Sequence, residues 1–237
     1  MKKNEKEIIN EDLENMSDED LIQLVQQQQN EDEIPQQVTP ELLEYLYKLE
    51  SRRIYLFGDV NKTNILNVIY QIQMLEDRSN EDIELVINSD GGFIVDCFAL
   101  IDIMDACRCD IKTTVYGLAA SAACMIASNG TKGKRYAGKQ AEFMFHEVMG
   151  DLHMIRKSDL PSIIKDTTRY QNKFNKLFSR NTGQPTKIIS NCFYGLSQDK
   201  YMTTAEAKKF GIIDHVISPR RKQVEVEKVN KKKKAKK

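Results

Sequence analysis

The chain has 237 residues, with 35 Lys plus Arg against 35 Asp plus Glu, and the zero net charge hides two opposite tails. Residues 1–40 are rich in Glu and Asp, whereas 219–237 are mostly Lys and Arg. This length supports one core with extensions rather than two full domains. No window holds the roughly 18 consecutive apolar residues of a membrane span, and the polar start MKKNEKEIINEDLE lacks the apolar stretch of a secretory signal, which predicts a soluble, cytoplasmic protein.

Residues 1–38 combine acidic clusters with the polar tract QLVQQQQNEDEIPQQ and read as a mobile or weakly helical extension. In TPELLEYLYKLES, Thr39 is a candidate N-cap and Pro40 a first helical residue, which predicts a short docking helix. From Arg53 strands and helices alternate. RIYLFG reads as a strand, NILNVIYQIQML as an amphipathic helix and DIELVINS as a strand running into Asp90-Gly91-Gly92. IVDCFALIDIMDACR then predicts a helix, DIKTTVYG a strand, and the small-residue run AASAACMIAS a helix starting near Ser121 and packing closely on a sheet. EFMFHEV alternates like a strand with His146 near its end. SDLPSIIKDTTRYQNKFNKLFSRNTG reads as a long helix stopped by Gly183, projecting or pairing with another subunit. In YMTTAEAKKFGIIDHVI, Thr203 and Glu206 fit a capping box, and Gly211 fits a helix stop before a strand. The pattern is that of an α/β layered fold over 39–218, followed by a disordered basic tail at 219–237.

Cys97, Cys107, Cys109, Cys124 and Cys192 are odd in number, lie largely in apolar runs and form no C-x-x-C pair, the pattern of buried thiols in a reducing compartment. With only His146, His153 and His215 available, the paired spacings of a zinc site are missing. Phe98, Leu100 and Met125 read as core residues. The KKKKAKK run invites a nucleic-acid reading, but no fold-borne basic patch or aromatic platform is evident beside it. A solvated tail, or a partner for the acidic N-terminus, is the better account, and neither nucleic acid nor membrane is expected as a partner.

A hydroxyl at a helix start, as at Ser121, sits beside free backbone N–H groups, a setting that suits a nucleophile but more often marks an N-cap. His146 at a strand end is either a structural histidine or a base. Asp90-Gly91-Gly92 is either an ordinary turn or a place where backbone N–H groups face a substrate carbonyl. Each is ambiguous alone, but the three follow one another across consecutive α/β units.

In this register INSDGG, GLAASAACMIASNGTKGKR, FMFHEVMG, NTGQ and DKYMTTAEAKKFGIID resemble the motifs of the Clp protease proteolytic subunit, over roughly residues 53–217. The resemblance implies the Clp/crotonase-like α/β fold of repeated units with a long handle helix. It implies Ser121 of Gly117-Leu118-Ala119-Ala120-Ser121 as nucleophile, His146 as general base and Asp199 as orienting acid, with Asn191 as fallback. The N–H groups of Gly92 and Ala122 inherit the oxyanion hole. No metal or organic cofactor is implied. The expected activity is hydrolysis of unfolded polypeptides inside a homo- or hetero-oligomeric ring, with an AAA+ unfoldase as partner.

Three features depart from the family pattern. Asp90 replaces the usual proline before the glycines, NCFYGLSQ before Asp199 is atypical, and Glu84 and Val86 stand where aromatics line the unfoldase-docking pocket. The acidic N-terminus and basic tail resemble divergent, phage-encoded members. The competing readings are a catalytically inactive ring subunit, a capsid maturation protease and a crotonase-like acyl-CoA enzyme. The last usually relies on Glu or Asp acids rather than an aligned Ser and His.

Overall fold

The structure, a computed structural model, describes residues 47–150, 156–192 and 199–218, and the chain divides after Arg52 into two units. In the first unit residues 47–51 are helical, within the helix expected after Pro40, while the acidic segment 1–38 and the tail 219–237 lie outside the described residues.

The second unit opens with β1 (Arg53–Val60), α1 (Lys62–Arg78), β2 (Ile83–Gly92), α2 (Ile94–Ala106), β3 (Ile111–Ala120) and α3 (Ala122–Ser128), in the alternation the sequence predicts. Helix α1 starts where Asn61 Oδ1 accepts the Asn64 N–H at 2.9 Å, and Ile65, Val68, Ile72 and Leu75 form its one buried stripe. Helix α2 buries Cys97, Phe98, Leu100, Ile101 and Met104. All seven residues of α3 are buried, and three of them are alanines, whose small side chains let the helix lie close against β2 and β3. Burial of Phe98, Leu100 and Met125 bears out their reading as core.

β4 (Arg135–Gly138), β5 (Glu142–Phe145), α4 (Leu160–Thr182), α5 (Thr186–Asn191), β6 (Lys200–Thr203), α6 (Thr204–Phe210) and β7 (His215–Ile217) follow. The capping box of α6 is formed, with Glu206 accepting the Thr203 N–H at 2.9 Å. The sequence reading misses β4, α5 and β6, which are four to six residues long and too short to display a period. β4 is further disguised by a fully buried cation. The Arg135 side chain is 2% exposed and its charge is met by Asp214, with Nη2 at 2.6 Å and Nε at 2.8 Å from the two carboxylate oxygens. Nη1 donates to the carbonyls of Ser128 and Asn181. Burial works against ionisation of Asp214, but the hydrogen bonds and charge of Arg135 outweigh it and hold the carboxyl below its ordinary range.

The strands form a single mixed sheet of order β1-β2-β3-β4-β7, parallel throughout. β3 divides its outer edge between two partners. Thr113–Val115 pair with β4, and Leu118–Ala120 pair with β5, which in turn takes β6 antiparallel. The split falls at Gly117, whose φ is +77°, and there Asn88 Oδ1 accepts the Leu118 N–H at 3.0 Å in place of a backbone partner. The three-stranded corner β3-β5-β6 carries the candidate site.

The long helix α4 buries side chains only in its C-terminal half, at Phe174, Asn175, Phe178, Asn181 and Thr182. Phe178 packs against Phe145, Phe174 and Phe210. Contrary to the sequence reading, the fold does carry a basic patch. Lys165, Arg169, Lys173 and Lys176 lie along one exposed face of α4 and, with Thr168 and Asn172, line an open groove of about 470 Å³. Their spacing of four, four and three residues is helical, so the row exists only once the segment is wound into a helix.

Candidate active site

β3 ends at Ala120, and Ser121 turns the chain into α3 with φ +53° and ψ −121°. A non-glycine residue held at positive φ costs roughly 1–3 kcal/mol, so its surroundings must impose it. They do. The Ser121 N–H donates to Met144 O of β5 at 2.7 Å, and the Ser121 carbonyl accepts from Cys124 and Met125 in the first turn of α3. Ser121 occupies the N-cap position, yet its hydroxyl makes no capping bond. The ordinary capping role is therefore ruled out, and the half-buried hydroxyl is left available.

Gly91 and Gly92 end β2 beside this turn, with φ +92° and +149°. A Cβ on Gly91 would stand 2.7 Å from Ser121 Cβ, 2.6 Å from Ala120 O and 3.0 Å from Ala122 N. A Cβ on Gly92 would stand 2.3 Å from Val60 O. Both positions thus demand glycine by contact as well as by conformation. The paired glycines continue the strand rather than form a free turn, and they bring the β2 backbone against the Ser121–Ala122 junction. Asp90 is exposed on the strand next to them.

His146 follows the last residue of β5 and is half-buried. Because Ala120 pairs with Met144 in the parallel β3–β5 ladder, Ser121 and His146 leave neighbouring strands one residue out of step. Strand spacing and rise put such Cα atoms roughly 6 Å apart. Asp199 immediately precedes β6. The antiparallel β5–β6 pairs run from Glu142↔Thr203 to Phe145↔Lys200, so His146 and Asp199 are the residues just beyond the last pair. Ser121, His146 and Asp199 thus leave three adjacent strands at one end of the sheet.

The side chains themselves are not joined. Among the described residues no hydrogen bond links the Ser121 hydroxyl, the His146 ring and the Asp199 carboxylate. The ring instead lies with Nδ1 2.5 Å from Glu147 O. A carbonyl oxygen only accepts, so Nδ1 is the donor in this contact and Nε2 is left for another partner. This acceptor was not evident in the sequence, since a backbone carbonyl leaves no signature there. Asn191 ends α5 and makes no hydrogen bond to His146.

The segment after His146 is tied to α4 by a chain of hydrogen bonds. Gln171 Oε1 accepts the Val148 N–H at 2.7 Å, Gln171 Nε2 donates to Asn175 Oδ1, and Asn175 Nδ2 donates to Ser190 Oγ. The nearby thiols are poor competitors for nucleophile. Cys97 and Cys124 are fully buried, and burial pushes both thiols far up, away from the reactive thiolate. Cys97 Sγ donates to Ala122 O at 3.4 Å. Among the described residues no cluster of His, Cys, Asp or Glu could hold a metal ion, and no helix is long and apolar enough to cross a membrane.

A family model described as Clp protease matches residues 36–220, which is most of the chain. The mixed α/β architecture, mostly parallel sheet and long helix α4 agree with that match. The chain belongs to the Clp protease family.

Proposed function

We propose that the chain is a serine endopeptidase in which Ser121, His146 and Asp199 act as nucleophile, general base and orienting acid. The observation that carries this reading is the convergence of three strand ends on a strained, uncapped serine whose backbone is braced by Gly91. Ser121 Oγ attacks the carbonyl carbon of a peptide bond while His146 Nε2 takes its proton. The N–H groups of Gly92 and Ala122 stabilise the oxyanion. Collapse expels the amine, which takes the proton from the imidazolium and leaves an acyl ester on Ser121. A water, deprotonated by His146, then hydrolyses the ester.

Asp199 orients the ring only after His146 exchanges its Nδ1 bond from Glu147 O to the carboxylate. A neutral bond nets about 1 kcal/mol and a charge-assisted one about 1.5–3 kcal/mol, so the exchange is favoured once imidazolium charge develops. Both arrangements keep the proton on Nδ1, so Nε2 is a base in either.

Family membership supports an oligomeric ring acting on unfolded polypeptide delivered by an ATP-dependent unfoldase, in the cytoplasm. The N-terminal half of α4, which buries no side chain among the described residues, is available surface for another subunit. The unfoldase contact differs from the family's aromatic pocket, because Glu84 is held by Arg53, Lys112 and Thr114 and Val86 is buried.

The test is labelling of the assembled protein with a fluorophosphonate, comparing wild type with Ser121→Ala and His146→Ala, followed by peptide mapping. Modification of Ser121 that depends on His146 is expected. A well-assembled protein that leaves Ser121 unlabelled sinks the proposal and favours an inactive ring subunit.

A further inference from the structure

The carboxylate of Asp90 has no part in the chemistry described above, yet it stands beside it. Along the end of β2 burial alternates, with Ser89 and Gly91 buried and Asp90 and Gly92 exposed. Asp90 therefore leaves the strand on the same side as Gly92. Ser89 turns the other way, and its hydroxyl accepts the Gly91 N–H at 3.1 Å. The distance to the nucleophile is bounded by the chain itself. A Cβ on Gly91 would stand 2.7 Å from Ser121 Cβ, and one Cα step of about 3.8 Å separates Gly91 from Asp90, so the Asp90 Cα lies within about 8 Å of Ser121 Cβ.

An aspartate beside glycine ordinarily turns its carboxylate onto its own backbone. Here the Gly91 N–H is taken by Ser89, and among the described residues the Asp90 carboxylate accepts no hydrogen bond and meets no Lys or Arg. What remains is an uncompensated negative charge next to the place where the attacked carbonyl oxygen becomes an anion. Like charges at this range oppose one another, so a fixed carboxylate slows the step unless a cation lies nearby. A Lys or Arg side chain of the substrate supplies that cation, and its long stem spans the gap.

We infer that Asp90 is a specificity-determining residue, directing Ser121 toward stretches of polypeptide with Lys or Arg next to the scissile bond and away from acidic ones, an inference that rests on the peptidase reading. The proline usual at this position carries no charge, so the preference belongs to this chain rather than to its family.

The experiment uses the full-length assembled protein and internally quenched hexapeptides of alternating Leu and Lys, Leu and Gln, or Leu and Glu. Whichever bond is cut, the variable residue adjoins it. Values of kcat/KM are measured for wild type, Asp90→Asn and Asp90→Glu, and the same preparations are labelled with a fluorophosphonate that has no charged side chain. Wild type is expected to cleave the Lys peptide about tenfold faster than the Gln peptide, and the Gln peptide about tenfold faster than the Glu peptide. Asp90→Asn should narrow both margins to about twofold and cleave the Glu peptide faster than wild type does, a gain that a misfolded variant would not show. Asp90→Glu restores the charge and keeps the order. Salt at about 0.3 M should narrow the margins of wild type but not those of Asp90→Asn. Equal cleavage of the Lys and Gln peptides by wild type, unchanged margins in Asp90→Asn, or an uncut Lys peptide in a preparation whose Ser121 labels each overturn the inference while leaving the peptidase reading intact. Absence of labelling in wild type sinks the peptidase reading and the inference with it, so the label tells the two failures apart.

Discussion

Replacing Gly91 by alanine tests whether the β2 backbone braces the nucleophile. The new Cβ would meet Ser121 Cβ at 2.7 Å and Ala120 O at 2.6 Å, well inside contact distance, and φ +92° adds conformational strain. Strain at positive φ costs about 1–2 kcal/mol and overpacking about 1–3 kcal/mol, so a loss of about 2–5 kcal/mol is expected. Gly133 provides the control, since it shares the conformation at φ +87° but has nothing within 4 Å of a Cβ. Gly133→Ala therefore carries the strain without the collision and should cost only about 1–2 kcal/mol. Urea unfolding midpoints at constant slope separate the two. Because the clash pushes on Ser121 itself, Gly91→Ala should also lower kcat/KM on a peptide by about 100-fold, the effect expected of a displacement near 1 Å, while Gly133→Ala retains activity. Equal behaviour of the two variants in both assays would refute the claim that Gly91 positions Ser121.

Two more outcomes follow from the geometry. Asp214→Asn leaves Arg135 buried without its counter-charge and should destabilise the fold by about 3–5 kcal/mol, read from the urea midpoint. The Asp214 carboxyl is held below its ordinary range, so its contribution is present above about pH 4 and is lost as pH falls through the folded value. The wild type should therefore lose stability on acidification more steeply than Asp214→Asn. Asp199→Asn should lower kcat by about 10³–10⁴-fold with little loss of stability, as expected of an acid that orients the base. A loss under about tenfold would mean that Glu147 O orients His146 by itself.

Much of the fold can be read directly from the chain. Apolar spacing locates β1 through α3, the long α4 and the capped α6, because each buries a face whose period appears in the order of residues. Residue identity and order make Ser121 and His146 candidates, whereas Asp199 is named only through the resemblance to the Clp protease family, to which the family match assigns the chain. What the sequence conceals depends on contacts between distant segments. β4 is invisible because its buried Arg135 looks like a surface residue until Asp214, 79 residues later, supplies the charge. β6 matters only through its register on β5, whose last pair, Phe145↔Lys200, leaves His146 and Asp199 at the same end of the sheet. Gly91 reads as a turn residue until β2 and β3 lie side by side and leave no room for a Cβ. The basic row on α4 is spelled out at helical spacing, yet it becomes one face only when the helix winds and its apolar side is taken up by the core. Local order dictates which elements form, because propensity and periodicity act over a few residues. Only the tertiary structure decides which side chains meet, because register, close approach and the shielding of charge are properties of segments far apart in the chain.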